Sequence, residues 1–211
     1  MNVSGETKFF VGVVIITLII LGGAIFFLSK PQAEKEVSVS DLVTQDAWAT
    51  GSATPKATLV EFGDFECPAC GSAFPVVKQV IEAHQQDLKY VFRNYPLEQH
   101  KNARLAAEAA EAAGAQGKYW QMYDMLFKNQ TNLSSETING FGIELKLDMD
   151  RFTKEVGNKK YESKIEGDIA DGNKVGVNAT PTFFLNNKKL DLASFSDLKT
   201  EVEKVINGEK K

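Results

Sequence analysis

The stretch LVEFGDFECPAC, residues 59–70, decides the fold predicted for this chain. Its apolar, β-prone beginning predicts a strand over residues 57–62, and Gly-Asp-Phe-Glu then forms a turn. A helix is expected from the cysteines to about Gln85, with apolar side chains at helical spacing on one face. Pro68 would occupy the first helical position, where its missing N–H costs nothing and its φ is already set. Cys67 is therefore predicted to cap the N-terminus of this helix.

The spacing of the two cysteines points to redox chemistry. At a helix N-terminus, unpaired backbone N–H groups and the helix dipole favour an anion, so the pKa of Cys67 should fall. Because the thiolate is the reactive form of cysteine, Cys67 is the expected nucleophile. Cys70 lies three residues on, about one helical turn, so the two sulfurs share a face and can close a disulfide. We expect Cys70 to lie deeper and to act as the resolving thiol.

Two structural alternatives compete with a redox pair. Zinc needs four ligands, and the two histidines, His84 and His100, are sixteen residues apart, far from the short spacing of a zinc finger. An inert structural disulfide would close so small a loop that it restrains little of the unfolded chain. The sequence therefore favours the redox pair, and no metal is predicted. We expect His84 on the surface and His100 to be a packing or capping residue.

The downstream pattern predicts an α/β fold of the thioredoxin-like type with an inserted helical subdomain. A second strand is expected at 88–94, and a helical insertion at about 98–170. Strand character returns at 182–185 and 188–190, where Asn-Asn forms the turn of a hairpin, and a last helix covers about 196–206. A right-handed parallel crossover must join the first two strands, whereas the last pair is antiparallel. This order of elements is that of the thioredoxin-like fold.

The N-terminal part of the chain predicts a membrane anchor. Residues 9–28, FFVGVVIITLIILGGAIFFL, contain no charge and would span about 30 Å as a helix, the thickness of a bilayer core. The run is longer than the apolar core of a usual signal peptide, so we expect an uncleaved signal anchor. It follows a short tail at 1–8. A linker and lead-in at 29–52, with Trp48 as a lid on the core, would precede the domain at 53–211.

Charge and compartment restrict the partners and the location. The formal net charge is −4, with acidic and basic residues interspersed and no long basic patch, so no nucleic-acid partner is predicted. Charges flank the apolar run too evenly to set its orientation. Dithiol oxidation needs an oxidising space, which favours a single-pass protein of the cell membrane with its catalytic domain on the extracytoplasmic side.

Several motifs together resemble the DsbA family of thiol–disulfide oxidoreductases, especially its membrane-anchored, BdbD-like members. The matching stretches are LVEFGDFECPAC at 59–70, YVFRNYPLEQH at 90–100, GKYWQMYDMLF at 117–127 and GVNATPTFFL at 176–185. The resemblance covers essentially all of 55–206. It implies a dithiol oxidase that introduces disulfides into protein substrates with cysteine thiols. It also implies a membrane redox partner of DsbB or VKOR type and no cofactor, and we expect a monomer.

The resemblance also implies roles for individual residues. Thr180-Pro181 matches the cis-proline loop of the family, which lies beside the dithiol and receives substrate backbone; an ordinary trans proline is the alternative. Glu61 matches the acidic residue beneath the dithiol, a buried carboxyl group with a raised pKa that would exchange a proton with Cys70. A Glu exposed at a sheet edge is the alternative. Pro68, Ala69 and Thr180 are expected to contact substrate.

Two departures from the family leave the direction of exchange open. The best-known oxidases have His between the cysteines, where this chain has Ala69, and Glu66 places a negative charge next to Cys67. Both oppose the thiolate, and a less stabilised reduced form lowers the reduction potential. A disulfide reductase or isomerase on the same fold is therefore the alternative. A non-enzymatic thioredoxin-like binding or chaperone module with an idle cysteine pair is a further one.

Overall fold

The computed structural model of the protein describes residues 5–28 and 37–209, in two compact units, 1–35 and 36–211. In the first unit, helix α1 spans Gly5–Leu28, so it contains the predicted segment 9–28 and begins within the predicted tail. The side chains of 5–8, 10–12 and 24–28 lie outside the described residues, as do residues 1–4 of the predicted tail and 29–36 of the predicted linker. Among the residues that are described, no helix is both long and apolar enough to cross a membrane.

The second unit contains a mixed sheet with helices on both faces. Its strands are β1 (Trp48–Gly51), β2 (Ala57–Gly63), β3 (Leu88–Asn94), β4 (Thr182–Leu185) and β5 (Lys188–Lys189). Its helices are α2 (Val39–Leu42), α3 (Pro68–Ala83), α4 (Ala103–Gly114), α5 (Tyr119–Lys128), α6 (Ser135–Glu144), α7 (Met149–Gly157), α8 (Glu162–Lys174) and α9 (Asp197–Ile206). The predicted α/β class with a helical insertion is confirmed, and the insertion comprises α4 to α8.

The sheet has the strand order β1-β3-β2-β4-β5. Strands β2 and β3 are parallel, with Glu61 opposite Phe92, as the crossover through α3 requires. Strand β4 pairs antiparallel with β2, with Glu61 opposite Phe183, and β5 closes the hairpin. Strand β2 is therefore central, and its carboxyl end delivers the chain to Cys67.

Alternate residues of the central strands fill two separate cores. One face carries Leu59, Tyr90 and Phe92, which pack in a core with α3, α9 and most of the insertion. The opposite face carries Val60, Phe62 and Val91, which pack with Leu42 of α2 and Val177. Because both faces of the sheet are covered, β2 and β3 are buried along nearly their whole length, including the polar residues Glu61, Arg93 and Asn94.

Strand β1 lies within residues 29–52, the segment predicted as linker and lead-in, and no strand was predicted there. Trp48 begins β1 opposite Phe92 in an antiparallel pair with β3. Its ring stacks on Tyr119 at 4.6 Å between centroids, and its Nε1 donates to Glu111 Oε2 at 2.8 Å. Trp48 thus covers the core as predicted, but from an edge strand of the sheet.

Candidate active site

The turn between β2 and α3 presents Cys67 at the tip of the helix. Cys67 is the N-cap residue, with extended backbone at φ −74° and ψ 120°, and Pro68 is the first residue of the helix. The carbonyl of Cys67 accepts the first helical hydrogen bond, from Gly71 N at 3.0 Å. Both cysteines are free thiols. Pro68 and Ala69 are exposed at this tip, whereas Cys67 is only 5% exposed and Cys70 is fully buried.

The loop before β4 lies against the first cysteine. The Thr180–Pro181 peptide bond is cis, and Cys67 Sγ lies 3.3 Å from the carbonyl oxygen of Thr180, to which the thiol donates a hydrogen bond when it is protonated. The trans-proline alternative is therefore wrong. Thr180 itself is 8% exposed. The structure thus brings together the residues predicted to contact substrate, since Pro68 and Ala69 directly follow Cys67 at the helix tip and the Thr180 carbonyl contacts its sulfur.

The two thiols have opposite electrostatic environments. The hydrogen bond with the Cys70 thiol, together with those involving Thr180 and the backbone N–H groups of Cys70 and Ala69, lowers the pKa of Cys67 to about 5 against the opposing effect of burial. Burial, together with the hydrogen bond to Cys67 and the nearby Glu61, raises the pKa of Cys70 far above its ordinary value. Near neutral pH, Cys67 is therefore the thiolate and Cys70 keeps its proton.

Glu61 is a buried carboxyl group on the central strand, so the alternative of an edge-exposed Glu is wrong. It is 1% exposed, and burial raises its pKa to about 8, although a hydrogen bond from Tyr90 opposes that shift. Tyr90 Oη donates to Glu61 Oε2 at 2.5 Å and lies 3.0 Å from Tyr123 Oη. The negative charge of Glu61 also contributes to the raised pKa of Cys70.

A second acid, Asp64, organises the turn that carries the cysteines. Its Oδ1 accepts from Glu66 N at 2.7 Å, its Oδ2 accepts from Leu97 N at 2.8 Å, and its carbonyl accepts from Cys67 N at 3.2 Å. His100 Nδ1 lies 2.7 Å from Asp64 Oδ2. Burial alone would lower the pKa of His100, but the hydrogen bond and charge of Asp64 outweigh it and raise this pKa.

The family follows from comparison with known proteins. A family model described as Thioredoxin matches residues 44–204. The chain belongs to the thioredoxin family. Solved structures with a similar fold include DsbA-like proteins, in agreement with this family.

Three solved structures illustrate the shared fold. Oxidised BdbD from Bacillus subtilis has a TM-score of 0.71 and 22% identity, covering 85% of this chain and 100% of that one. The thiol–disulfide exchange protein α-DsbA2 from Wolbachia pipientis has a TM-score of 0.70 and 21% identity, covering 79% and 90%. DsbA2 from Pseudomonas aeruginosa has a TM-score of 0.59 and 27% identity, covering 74% and 90%. The predicted resemblance to DsbA-like and BdbD-like proteins is confirmed.

Curated relatives match this thioredoxin-family chain over a segment of their own length. The Na⁺/H⁺ antiporter NhaA 1 of Salinispora arenicola is 41% identical over 133 residues, which are 63% of this chain and 20% of the antiporter. The NhaA 1 of Mycolicibacterium gilvum is 34% identical over 176 residues, which are 80% of this chain and 28% of the antiporter. The chain thus spans less than a third of these relatives.

Besides Asp64, the sequence did not predict Gln130 as a residue of this thioredoxin-family site. Gln130, after α5 in the insertion, donates from Nε2 to the carbonyl oxygens of Phe65, at 3.0 Å, and Cys67, at 2.7 Å. It contacts Gly71 closely, because a Cβ at Gly71 would lie 2.2 Å from Gln130 Oε1. Through Gln130, the insertion therefore holds the backbone at Phe65 and at Cys67, a clamp on the catalytic turn. No local pattern marks Gln130, which approaches the turn only through the tertiary fold.

The remaining sequence predictions have mixed outcomes. Glu66 lies next to Cys67 as expected, but its carboxylate accepts hydrogen bonds from the backbone and side-chain nitrogens of Asn102. His100 is more than a packing residue, because it pairs with Asp64. His84, predicted on the surface, is half-buried and is the C-cap residue of α3. Across the described residues, no group of three or more His, Cys, Asp or Glu side chains is placed to hold a metal ion.

The opposite pKa shifts of Glu61 and Cys67 predict a specific pH dependence of stability for the reduced protein. Folding raises the pKa of Glu61 from 4.5 to about 8, so this group makes folding less favourable as pH rises through that window. Folding lowers the pKa of Cys67 from 9.0 to about 5, so this group makes folding more favourable as pH rises through its window. The two effects oppose each other between about pH 5 and pH 8.

Glu61→Gln should leave the Cys67 effect uncompensated. We expect the free energy of unfolding of the reduced variant, relative to that of the reduced wild type, to rise by up to about 1.4 kcal/mol per pH unit between pH 5 and 8. Urea unfolding at several pH values measures this difference. Cys67→Ala is the matched control and should show the opposite slope. Parallel curves for Glu61→Gln and the wild type would contradict the prediction.

Proposed function

We propose that this chain is a protein thiol–disulfide oxidoreductase that works as a dithiol oxidase, introducing disulfides into protein substrates. One observation carries the proposal: Cys67, with its pKa lowered to about 5, lies at a helix tip against the Thr180 carbonyl, one helical turn from a buried Cys70. A stabilised thiolate is a good leaving group and lowers the free energy of the reduced enzyme, and both effects favour oxidation of the substrate. The thioredoxin family and the DsbA-like fold agree with this function.

In the first step, a substrate thiolate attacks Cys67 Sγ of the oxidised enzyme. A bond forms between the substrate sulfur and Cys67, and the Cys67–Cys70 bond breaks, so Cys70 leaves as a thiolate. Because Cys70 is buried and its pKa is strongly raised, it must take up a proton. Glu61, whose pKa of about 8 keeps it protonated near neutral pH and whose charge acts on Cys70, is the proposed donor, directly or through water.

In the second step, another substrate thiolate attacks the substrate sulfur of the mixed disulfide. The substrate disulfide forms, and Cys67 leaves as the thiolate that the helix tip and the Cys70 thiol stabilise. The substrate loses two electrons and the enzyme gains them. The exposed Pro68 and Ala69, and the carbonyl of Thr180, are positioned to contact the substrate chain at this sulfur.

A disulfide reductase or isomerase is the second candidate function. Ala69 provides no charge to the thiolate where the best-known DsbA oxidases have His, and Glu66 adds a carboxylate beside it. Asp64 and Glu66 are, however, both tied into hydrogen bonds, and the His100 ring pairs with Asp64. These contacts offset the negative charges of Asp64 and Glu66 near the Cys67 thiolate, and they therefore favour the oxidase over the reductase or isomerase. A non-enzymatic binding or chaperone module is a weaker third candidate, because it gives no reason for a lowered pKa at Cys67.

An oxidase that is left reduced needs an electron acceptor, so we also propose a membrane redox partner of DsbB or VKOR type. Residues 9–28 would anchor the chain in the cell membrane as a single pass, with the domain on the extracytoplasmic side. The uncharged sequence of this run supports the anchor, as does the exposure of its described side chains at Phe9 and from Val13 to Leu21. No other chain is required to complete the dithiol site, and we propose that the protein acts as a monomer.

Cys70→Ala should trap substrates as mixed disulfides, because Cys67 can still attack a protein disulfide while the resolving thiol is gone. Non-reducing gels of cells that express this variant should show adducts that disappear on reduction. Cys67→Ala is the matched control, with the other thiol removed, and should form none. Equal adduct levels for the two variants would sink the enzymatic proposal.

The reduction potential of the Cys67–Cys70 pair separates the two directions of exchange. For an oxidase, we expect a value between about −180 and −120 mV, the potentials of protein disulfide isomerase and DsbA. Equilibration with glutathione buffers, followed by quantification of free thiols, measures it. Ala69→His should raise the potential further by stabilising the thiolate. A wild-type value near about −270 mV, as in thioredoxin, would favour the reductase instead.

The membrane anchor is tested by fractionating cells that express the full chain. We expect the protein in the membrane pellet, resistant to extraction at alkaline pH, with its domain digested by protease added outside the cell membrane. A variant that lacks residues 9–28 should not pellet with membranes. Alkaline extraction of the intact chain, or protection of its domain from external protease, would refute the anchor or its orientation.

A further inference from the structure

A cavity of about 420 Å³ lies among helices α4, α6, α7 and α8 of the insertion. Its wall is mainly apolar and includes Leu105, Ile138, Val156 and Ile165. The volume is in the range of small-molecule sites in proteins. None of its described lining residues belongs to the dithiol site, so the proposed oxidase function does not account for it.

The cavity contains one buried carboxyl group that is incompletely hydrogen-bonded. Glu108 of α4 lines the cavity and is 4% exposed. Its Oε2 accepts a hydrogen bond from Tyr161 N at 3.0 Å, whereas its Oε1 is buried and has no hydrogen-bond partner within the described part of the chain. An unpaired buried carboxylate oxygen carries a large desolvation penalty.

A neighbouring acid on the same helix, Glu111, differs from Glu108 in having several hydrogen-bond donors. Glu111, also buried, accepts hydrogen bonds from Trp48 Nε1, Asn94 Nδ2 and Lys164 Nζ, each at 2.8 Å. Glu108 has no comparable set. The two cations that line the cavity are both paired with acids, since Arg104 bonds to Glu166 and Lys159 lies 3.4 Å from Glu162.

We propose that this cavity binds a small amphipathic amine, whose ammonium group donates to Glu108 Oε1 and whose apolar body packs against Leu105, Ile138 and Val156. A cation supplies both the missing donor and the opposite charge, and such charge-assisted hydrogen bonds are stronger than neutral ones. A neutral alcohol supplies the donor alone. An anion meets the negative charges of Glu108 and Glu162.

Titration of the full purified chain with three probes of similar shape tests the ligand class. The probes are 2-phenylethylamine, the neutral 2-phenylethanol and the anionic 3-phenylpropanoate. We expect saturable binding of the amine by calorimetry, with a Kd about tenfold or more below that of the alcohol, and no binding of the anion. In NMR spectra of labelled isoleucine methyl groups, Ile138 and Ile165 should shift, whereas Ile81, outside the cavity lining, should not.

Variants distinguish this site from adventitious binding. Glu108→Gln keeps an acceptor for Tyr161 N but removes the charge, and it should weaken amine binding about tenfold or more. Val156→Phe fills the cavity and should abolish binding. Glu144→Gln is the matched control at an exposed acid outside the cavity lining and should bind as the wild type does. If Glu108→Gln fails to fold, the comparison of amine with alcohol on the wild type still decides. Equal affinity for both, or shifts that avoid Ile138 and Ile165, would overturn the proposal.

Discussion

The site depends on one interaction, between the sulfur of Cys67 and the hydrogen-bond donors at the beginning of α3. A helix N-terminus leaves backbone N–H groups without intrahelical partners, and those of Ala69 and Cys70 here contribute to the lowered pKa of Cys67. The Cys70 thiol contributes most. The central position of β2, the proline at the first helical residue and the clamp from Gln130 all hold Cys67 where these donors converge.

The same arrangement gives Glu61 and Cys67 opposite protonation states near neutral pH. A buried carboxyl group keeps its proton to about pH 8, while a thiol at the helix tip loses its proton from about pH 5. The polar chain from Glu61 through Tyr90 to Tyr123 lies inside a core of aromatic rings, where burial dominates the pKa of each member. Burial thus keeps the protons on Glu61 and Cys70, whereas hydrogen bonds at the helix tip favour the thiolate of Cys67.

The parts of the fold set by local chemistry were predictable from sequence. The cap at Cys67 follows from Cys-Pro after a turn, and β2, β3 and the β4–β5 hairpin follow from short β-prone runs bounded by turns. Strand β1 was missed, because it is four residues long, lies half-exposed at an edge and ends in Gly51, so no periodicity marks it. Its pairing with β3 is what makes this segment a strand. Family resemblance, rather than pattern, indicated the burial of Glu61, since a Glu within a strand ordinarily indicates an exposed position.

Long-range contacts determine the remaining features that the sequence did not predict, such as the position of Gln130. Gln130 reaches Cys67 across 63 positions of chain, and the amide also occupies the space in which a side chain at residue 71 would lie. These two positions therefore constrain each other: any substituent at residue 71 would push the amide off the carbonyl oxygens it holds, and a shorter residue at 130 would free that space. Among homologues, we expect the two positions to covary, with glycine retained wherever the long amide is present.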